Sequence, residues 1–531
     1  MNVASEALKA GAAPYAPSSV KRLAAGQAYA LPLGFALALL AMTALPYVHG
    51  NPRLLWSFLG AGGALVAWTG AAYAAAKRSG RELVLETVVR KQHWLQACAQ
   101  GSVILFWGFY WRTVYDAAPL IVAQLLFAYA FDILLSWSRR DTYTLGFGPF
   151  PVVFSITLFL WFKKDWFYWQ FVLVAVGFAA KELLRWKKEG RWVHIFNPSS
   201  FPLAVFSLAL FLLNQDQMTW GPAIADTQNW PPYIYLWIFA IGLPGQYLFG
   251  VTTMTMSAVV STVLFSQIYF LATGSYFFLD AHVPIAVFLG MHLLFTDPST
   301  SPRTELGRVI FGVLYGLSTA LLFWLLQLAG KPTFYDKLLQ VPLLNLSILA
   351  IDRVVRGTPL GRLDPARIAP SVVGRRRHVA FMSVWVVLFA GMYGAGWLGD
   401  KHPGQWIVFW KGACARDARH GCDVLHYLEH YHCGEGSGWA CNEEGVASAA
   451  RGAERAEYGG AFNRGCALGF PTACENLAAA RRQETQFRQA EPLAADLPIL
   501  LRGRKAPIEE RDPEKLYAMA CAQGWADLCG R

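Results

Sequence analysis

The chain has 531 residues, of which 55% are hydrophobic and 15% charged, with 21 Trp, 35 Phe and a formal net charge of +11. A soluble domain carries about 25% charged residues, so this composition excludes a disordered, collagenous or ordinary soluble protein and points to a membrane protein. No basic stripe with interleaved aromatics marks a nucleic-acid groove, and in a membrane protein excess Lys and Arg collect in cytoplasmic loops.

A hydrocarbon core of about 30 Å takes roughly 20 apolar residues per helix. After an N-terminal segment, 1–30, apolar runs predict spans at 31–49, 54–76, 95–111, 117–138, 149–162, 166–182, 201–214, 232–249, 251–274, 281–296, 309–328, 338–352 and 379–398. The runs at 149–162, 201–214 and 338–352 are short, as re-entrant or tilted segments are, so the count lies at about 10–13. With the N-terminus cytoplasmic, 24 Lys and Arg fall in inside loops and 6 in outside loops. That bias follows the positive-inside rule. An odd span count then places residues 400–531 outside the cytoplasm, on the periplasmic side of a bacterial inner membrane. The predicted fold is all-α: a polytopic membrane domain over 31–399, followed by an exported helical domain.

Cysteine usage tests that topology separately. Of nine Cys, Cys98 lies alone in a predicted span. The other eight form four C-x7-C pairs: Cys414/Cys422, Cys433/Cys441, Cys466/Cys474 and Cys521/Cys529. An even set in one small exported domain implies a disulfide framework. Zinc is the competing reading, although its sites favour C-x2–4-C spacing. C-x7-C suits a helix–turn–helix hairpin in which one Cys ends the first helix and the other enters the second. Successive pairs start 19, 33 and 55 residues apart. The stretch 483–515 is polar and contains Pro492, Pro498, Pro507 and Pro513. The pattern resembles the cysteine-rich Sel1-like repeats, relatives of the tetratricopeptide repeats. That resemblance implies a disulfide-stapled α-solenoid with a surface for protein partners. His426 and His430 stand at i and i+4, followed by His432, a spacing that on a helix can share a metal. An exposed polar face explains them as well, and no metal is assigned.

Within the membrane part, helix breakers and polar residues at span ends are informative, because freed backbone groups there need protein or a cavity to satisfy them. Four segments stand out. The first is His194-Ile195-Phe196-Asn197-Pro198, where Asn197 suits an N-cap and Pro198 the first helical position. The second is Gly242-Leu243-Pro244-Gly245-Gln246 with Gly250-Val251-Thr252-Thr253, an interrupted span of the kind that lines binding sites or simply forms a tight turn. The third is His292-Leu293-Leu294-Phe295-Thr296-Asp297-Pro298-Ser299-Thr300-Ser301-Pro302-Arg303, then Gly307-Arg308, where Asp297 needs a partner and Arg303 or Arg308 is near in sequence. The fourth joins Asn345 to Asp352-Arg353. Asp132 is the main charge inside a predicted span.

In this order the four segments resemble the NqrB/RnfD family of membrane electron-transfer subunits, over roughly residues 120–355. The UnbU-like branch shares the same core. The resemblance implies a core of about ten helices in two related halves and flavin-linked electron or ion transfer with partner subunits. It also implies a cofactor site near Asn197, Gly245, Thr252, Thr253 and Asp297. Family members carry FMN on a Thr within an S-G-A-T type motif, and FMN or riboflavin is the cofactor implied here. The corresponding stretch, 214–232, has Thr219 and Thr227 without that frame, and Gln246 stands where the family has Glu. Both departures argue against covalent attachment. A non-catalytic anchor that holds an exported partner through the repeats is the alternative function, and a transporter is a third reading.

Overall fold

The computed structural model describes residues 19–357, 359–368 and 374–530. Most of the segment 1–30 therefore lies outside the described residues. The chain is 71% helical, and it divides into two compact units.

The first unit comprises residues 1–228, 233–262 and 285–391. Its helices are α1 (Ala25–Ala41), α2 (Pro52–Arg78), α3 (Lys91–Tyr110), α4 (Ala118–Arg139), α5 (Pro149–Phe159), α6 (Tyr168–Leu183), α7 (Ser200–Leu213), α8 (Ile234–Phe249), α9 (Thr252–Thr273), α10 (Ile285–Leu293), α11 (Glu305–Leu328), α12 (Asp336–Gly357) and α13 (Arg375–Gly394). α9 and α13 run on beyond this unit's residues. Local sequence explains many of the ends. Asn51 caps α2 by accepting the Leu54 N–H, with Pro52 in the first turn, and Thr304 caps α11 through the Gly307 N–H.

Helices occupy all thirteen predicted positions. Among the described residues, seven segments are long and apolar enough to cross a bilayer, and three shorter apolar helices accompany them. The protein is a multi-pass membrane protein. Two lengths depart from the hydropathy reading. The run at 338–352 belongs to a 22-residue helix, because Asp336 and Lys337 extend it at one end and residues 353–357 at the other. The run at 281–296 yields only nine helical residues, α10, and all nine are buried. A half-helix at membrane depth is tolerated when protein surrounds it.

Five short strands were not anticipated. β1 (Ser19–Leu23), β2 (Leu83–Thr87) and β3 (Thr142–Leu145) form one small sheet, antiparallel between β1 and β2 and parallel between β2 and β3. β4 (Arg185–Lys188) and β5 (Arg191–His194) form a hairpin turned by Glu189 and Gly190, both at positive φ. Runs of four or five residues give little periodic signal.

Glycine permits a close contact between two helices. A Cβ at Gly312 would lie 2.2 Å from both the Met254 carbonyl oxygen and Ser257 Oγ, and one at Gly316 would lie 2.5 Å from Ser261 Oγ and Thr262 Oγ1. This G-x-x-x-G face lets α11 approach α9 closely, as small residues do in membranes.

The second unit comprises residues 229–232, 263–284 and 392–531. It holds α14 (Ile407–Ala415), α15 (Gly421–Gly434), α16 (Gly438–Ala450), α17 (Arg455–Ala467), α18 (Pro471–Arg481) and α19 (Pro513–Ala522). Four disulfides join the predicted pairs Cys414–Cys422, Cys433–Cys441, Cys466–Cys474 and Cys521–Cys529. The first three staple successive helices at their turn. The fourth ties the end of α19 to a 3-10 turn at Ala526–Leu528. The core packs Trp439, Phe470, Leu497, Leu516 and Trp525 together. Between α18 and α19 there is no helical hairpin, only a short helix at Leu497–Leu500.

Candidate functional site

The loop after α10 carries Thr296 to Pro302, and segments distant in sequence grip it. Asn197 Nδ2 donates to the Leu294 carbonyl (3.0 Å), while its Oδ1 accepts the N–H groups of Ser199 and Ser200 (3.0 and 3.1 Å) and opens α7. The Asn197 N–H donates to Asn345 Oδ1 (3.2 Å), and Asn345 Nδ2 donates to the Thr300 carbonyl (3.1 Å). Asp352 accepts the N–H of Arg303 (3.0 Å), the N–H of Thr304 (3.1 Å) and Thr304 Oγ1 (2.9 Å). From the hairpin, Lys188 Nζ donates to the Ser301 carbonyl (2.7 Å).

Asp297 pairs with His194 Nε2 at 2.9 Å and accepts the Ser299 N–H at 2.9 Å. The partner is thus His194 and not Arg303 or Arg308: the Arg303 guanidinium faces Glu189 at 3.9 Å, and Arg308 goes to Glu305 at 2.8 Å. Burial alone would raise the Asp297 carboxyl, but the charge and hydrogen bond of His194, with the Ser299 N–H, hold it at about 2. Burial, helped by the Arg303 charge, lowers the Lys188 ammonium to about 8 against the pull of Asp352, Asp297 and Glu189.

The helix break lies elsewhere than the Gly-Pro pair suggested. α8 runs through Pro244 and Gly245 to Phe249, and Gly250, at φ +65°, terminates it. Thr252 then opens α9. Thr253 Oγ1 donates to Glu305 (2.9 Å), Glu305 holds Arg308, and Arg308 Nε donates to the Pro302 carbonyl (3.1 Å). Thr253 therefore joins the same network as Asn197 and Asp297, whereas Gly245 lies within α8 and Thr252 follows the break.

There, several buried polar atoms lack partners: both amide atoms of Gln246, the hydroxyls of Thr252 and Thr255, and His292 Nε2. His292 Nδ1 donates to the Phe288 carbonyl at 2.8 Å, which leaves Nε2 as an acceptor. A Cβ at Gly242 would lie 3.3 Å from the His292 ring and 3.5 Å from Gln246 Nε2, so glycine keeps both close. Gly242, Gly245, Gln96, His292 and Thr296 line a small cleft. It admits about one water molecule. Sequence reasoning did not single out His292 or Gln246 as binding groups. Neither belongs to a periodic or spaced pattern of ligands.

The flavin test is direct. Thr219 Oγ1 donates to the Asp216 carbonyl and accepts the Gly221 N–H. Thr227 Oγ1 donates to the Ala223 carbonyl and accepts Trp107 Nε1. Both threonines are buried, so neither hydroxyl is available for a phosphodiester, and the cleft at Gly245 is far smaller than a flavin ring. These residues do not fit a covalently held FMN. Asp132 is engaged too, with Lys181 at 3.7 Å and the Tyr143 hydroxyl at 3.4 Å. His426 and His430 turn to separate partners, Glu429 and Glu444. Among the described residues no group of three His, Cys, Asp or Glu is arranged to hold a metal.

No family model, curated protein or solved structure matches this chain.

Proposed function

We propose that the chain is a membrane subunit of an electron-transport system of the NqrB/RnfD type, working with redox centres held by partner subunits or by noncovalent cofactors. The observation that carries this reading is the single network. Asn197, Asp297, Asn345 and Asp352, the residues on which the resemblance rests, lock one loop together although they come from separate segments. Such a frame holds broken helices open at membrane depth. On this reading the site serves redox coupling or positioning, with its carboxylates spent on backbone N–H groups and hydroxyls of the loop.

A second reading has its own support. The engaged Thr219 and Thr227 hydroxyls and the three disulfide-stapled hairpins favour a non-catalytic anchor that holds an exported partner. One purification separates the two. The detergent-purified chain is scanned for absorbance, acid-precipitated and weighed intact. Flavin or quinone released to the supernatant supports the redox subunit. A colourless protein of unmodified mass with a stoichiometric exported partner supports the anchor. Flavin retained in the pellet would overturn the reading of the two threonines.

A further inference from the structure

The β4–β5 hairpin follows a membrane helix almost without a linker: α6 ends at Leu183 and β4 begins at Arg185. Leu183 is 51% exposed and Leu184 38%. Val172 on α6 and Val205 and Leu208 on α7, the helix after the hairpin, are exposed as well. Exposed apolar side chains on the helices of a membrane protein face lipid. Two residues of chain reach at most about 7 Å, and the headgroup layer beyond the hydrocarbon is about 5–7 Å deep on each side. Arg185 therefore lies at the level of the headgroups.

The charges of the hairpin fall into two sets. One set is engaged by the protein. Lys188 is buried on the Ser301 carbonyl (2.7 Å), His194 pairs with Asp297 (2.9 Å), and Glu189 at the turn meets Arg356 (2.7 Å) and Arg303 (3.9 Å). The other set is Arg185, Lys187 and Arg191, all exposed, and none has a carboxylate partner among the described residues. The remaining nearby carboxylate, Glu182, goes to Arg140 (3.1 Å) and Arg139 (3.9 Å). Strand alternation puts Arg185 and Lys187 on one side, and Trp192 is the partner of Lys187 across the hairpin. Trp192 is 62% exposed, and its carbonyl accepts a hydrogen bond from Arg185 Nη2 (3.0 Å). An unpaired cationic cluster thus surrounds an exposed indole. Trp concentrates at this depth in membrane proteins, and basic side chains there keep their stems on apolar surface while their heads reach lipid phosphates.

We propose that the exposed side of this hairpin is a binding site for an anionic phospholipid of the surrounding bilayer. Arg185, Lys187 and Arg191 take the headgroup, and the Trp192 indole lies against the acyl chains. The proposal is independent of the redox and anchor readings. It also couples lipid to the polar network, because the same hairpin holds the 296–302 loop through Lys188 and His194. A basic residue near an anionic membrane surface contributes about fivefold in affinity, so three together contribute on the order of 100-fold.

The test uses the full chain in phosphatidylcholine bilayers, into which acyl-brominated phosphatidylglycerol is mixed; brominated phosphatidylcholine is the reference. Bromine quenches indole emission on contact, and the difference between a protein and its Trp192→Phe counterpart reports Trp192 alone. Half-quenching is expected at a mole fraction of phosphatidylglycerol about 10-fold or more below that of phosphatidylcholine, and the gap is expected to shrink as salt is added. Arg185→Gln, Lys187→Gln and Arg191→Gln together are expected to close the gap. Arg185→Lys with Arg191→Lys is expected to keep it, which separates loss of charge from loss of fold. The proposal is overturned if the two lipids quench Trp192 alike in the wild type, or if the triple variant, unfolding at the wild-type temperature, keeps the gap. It is also overturned if neither lipid reaches Trp192, which would give this side to water or to a protein partner. Abolition of the gap by excess glycerol 3-phosphate would overturn it as well, by making the cluster a site for soluble anions.

Discussion

Asp352 accepts two backbone N–H groups and a hydroxyl in a half-helical, low-dielectric setting. Replacing it with Ala strands those donors, at about 2–3 kcal/mol in total once the loop relaxes. Thermal unfolding in detergent, followed by tryptophan fluorescence, is expected to fall by several degrees for Asp352→Ala and little for the exposed Asp423→Ala. Glu443 offers a pH test. Burial pushes its carboxyl up to about 7, with Glu429 adding to the rise and Asn442, the Ala490 N–H and Lys411 opposing it. The folded form then holds a proton that the unfolded form has released, so this group's contribution to stability is full below about pH 4.5 and is lost as pH rises through about 7. The decline amounts to about 3 kcal/mol at most. Glu443→Gln is expected to flatten that slope for the cysteine-rich unit; an unchanged slope would place the titration on another group. At this scale the sequence was partly legible. Asn197, Asp297, Asn345 and Asp352 could be picked out because polar residues at span ends need a reason. Their partners could not, since His194 reaches Asp297 from another segment and nearness in sequence pointed to Arg303.

Hydropathy placed thirteen helices because lipid solvation acts on whole runs of side chains. It misjudged α10 and α12 because burial within protein removes the link between length and bilayer thickness. The break after α8 was legible as a break, but its place depended on backbone conformation: Pro244 stays inside the helix and Gly250 supplies the left-handed turn. The contact of α9 with α11 rests on absent side chains. Gly312→Ala forces a Cβ onto the Met254 carbonyl and is expected to cost about 1–3 kcal/mol by overpacking. Gly391→Ala, where nothing lies within 4 Å of the added carbon, is the matched control. It is expected to be neutral or slightly stabilising, because Ala is the better helix former. The surviving monodisperse fraction after a heat step reads both.

For the molecule as a whole, composition and cysteine spacing carried most of the reading, because apolar runs follow from contact with lipid and evenly spaced cysteine pairs from disulfide bonding. That residues 263–284 belong to the same unit as the cysteine-rich repeats could not be read from any run or spacing. A maleimide–polyethylene glycol shift is expected to show one accessible thiol, Cys98, in the unreduced denatured chain and nine after reduction. More than one before reduction would mean an open bridge. A C-terminal tag is expected to be cut by protease added to intact spheroplasts; protection would reverse the orientation that the loop charges imply.

Every bridge in the repeats joins cysteines eight positions apart. Eight cysteines allow about a hundred pairings, yet here the correct partner is always the next to emerge. A chain that emerges in order therefore allows each pair to close before the following pair appears. A small loop also limits what each bridge contributes, about 2.5 kcal/mol by chain entropy. The arrangement favours fidelity of assembly over the tight cross-linking that bridges between distant segments provide.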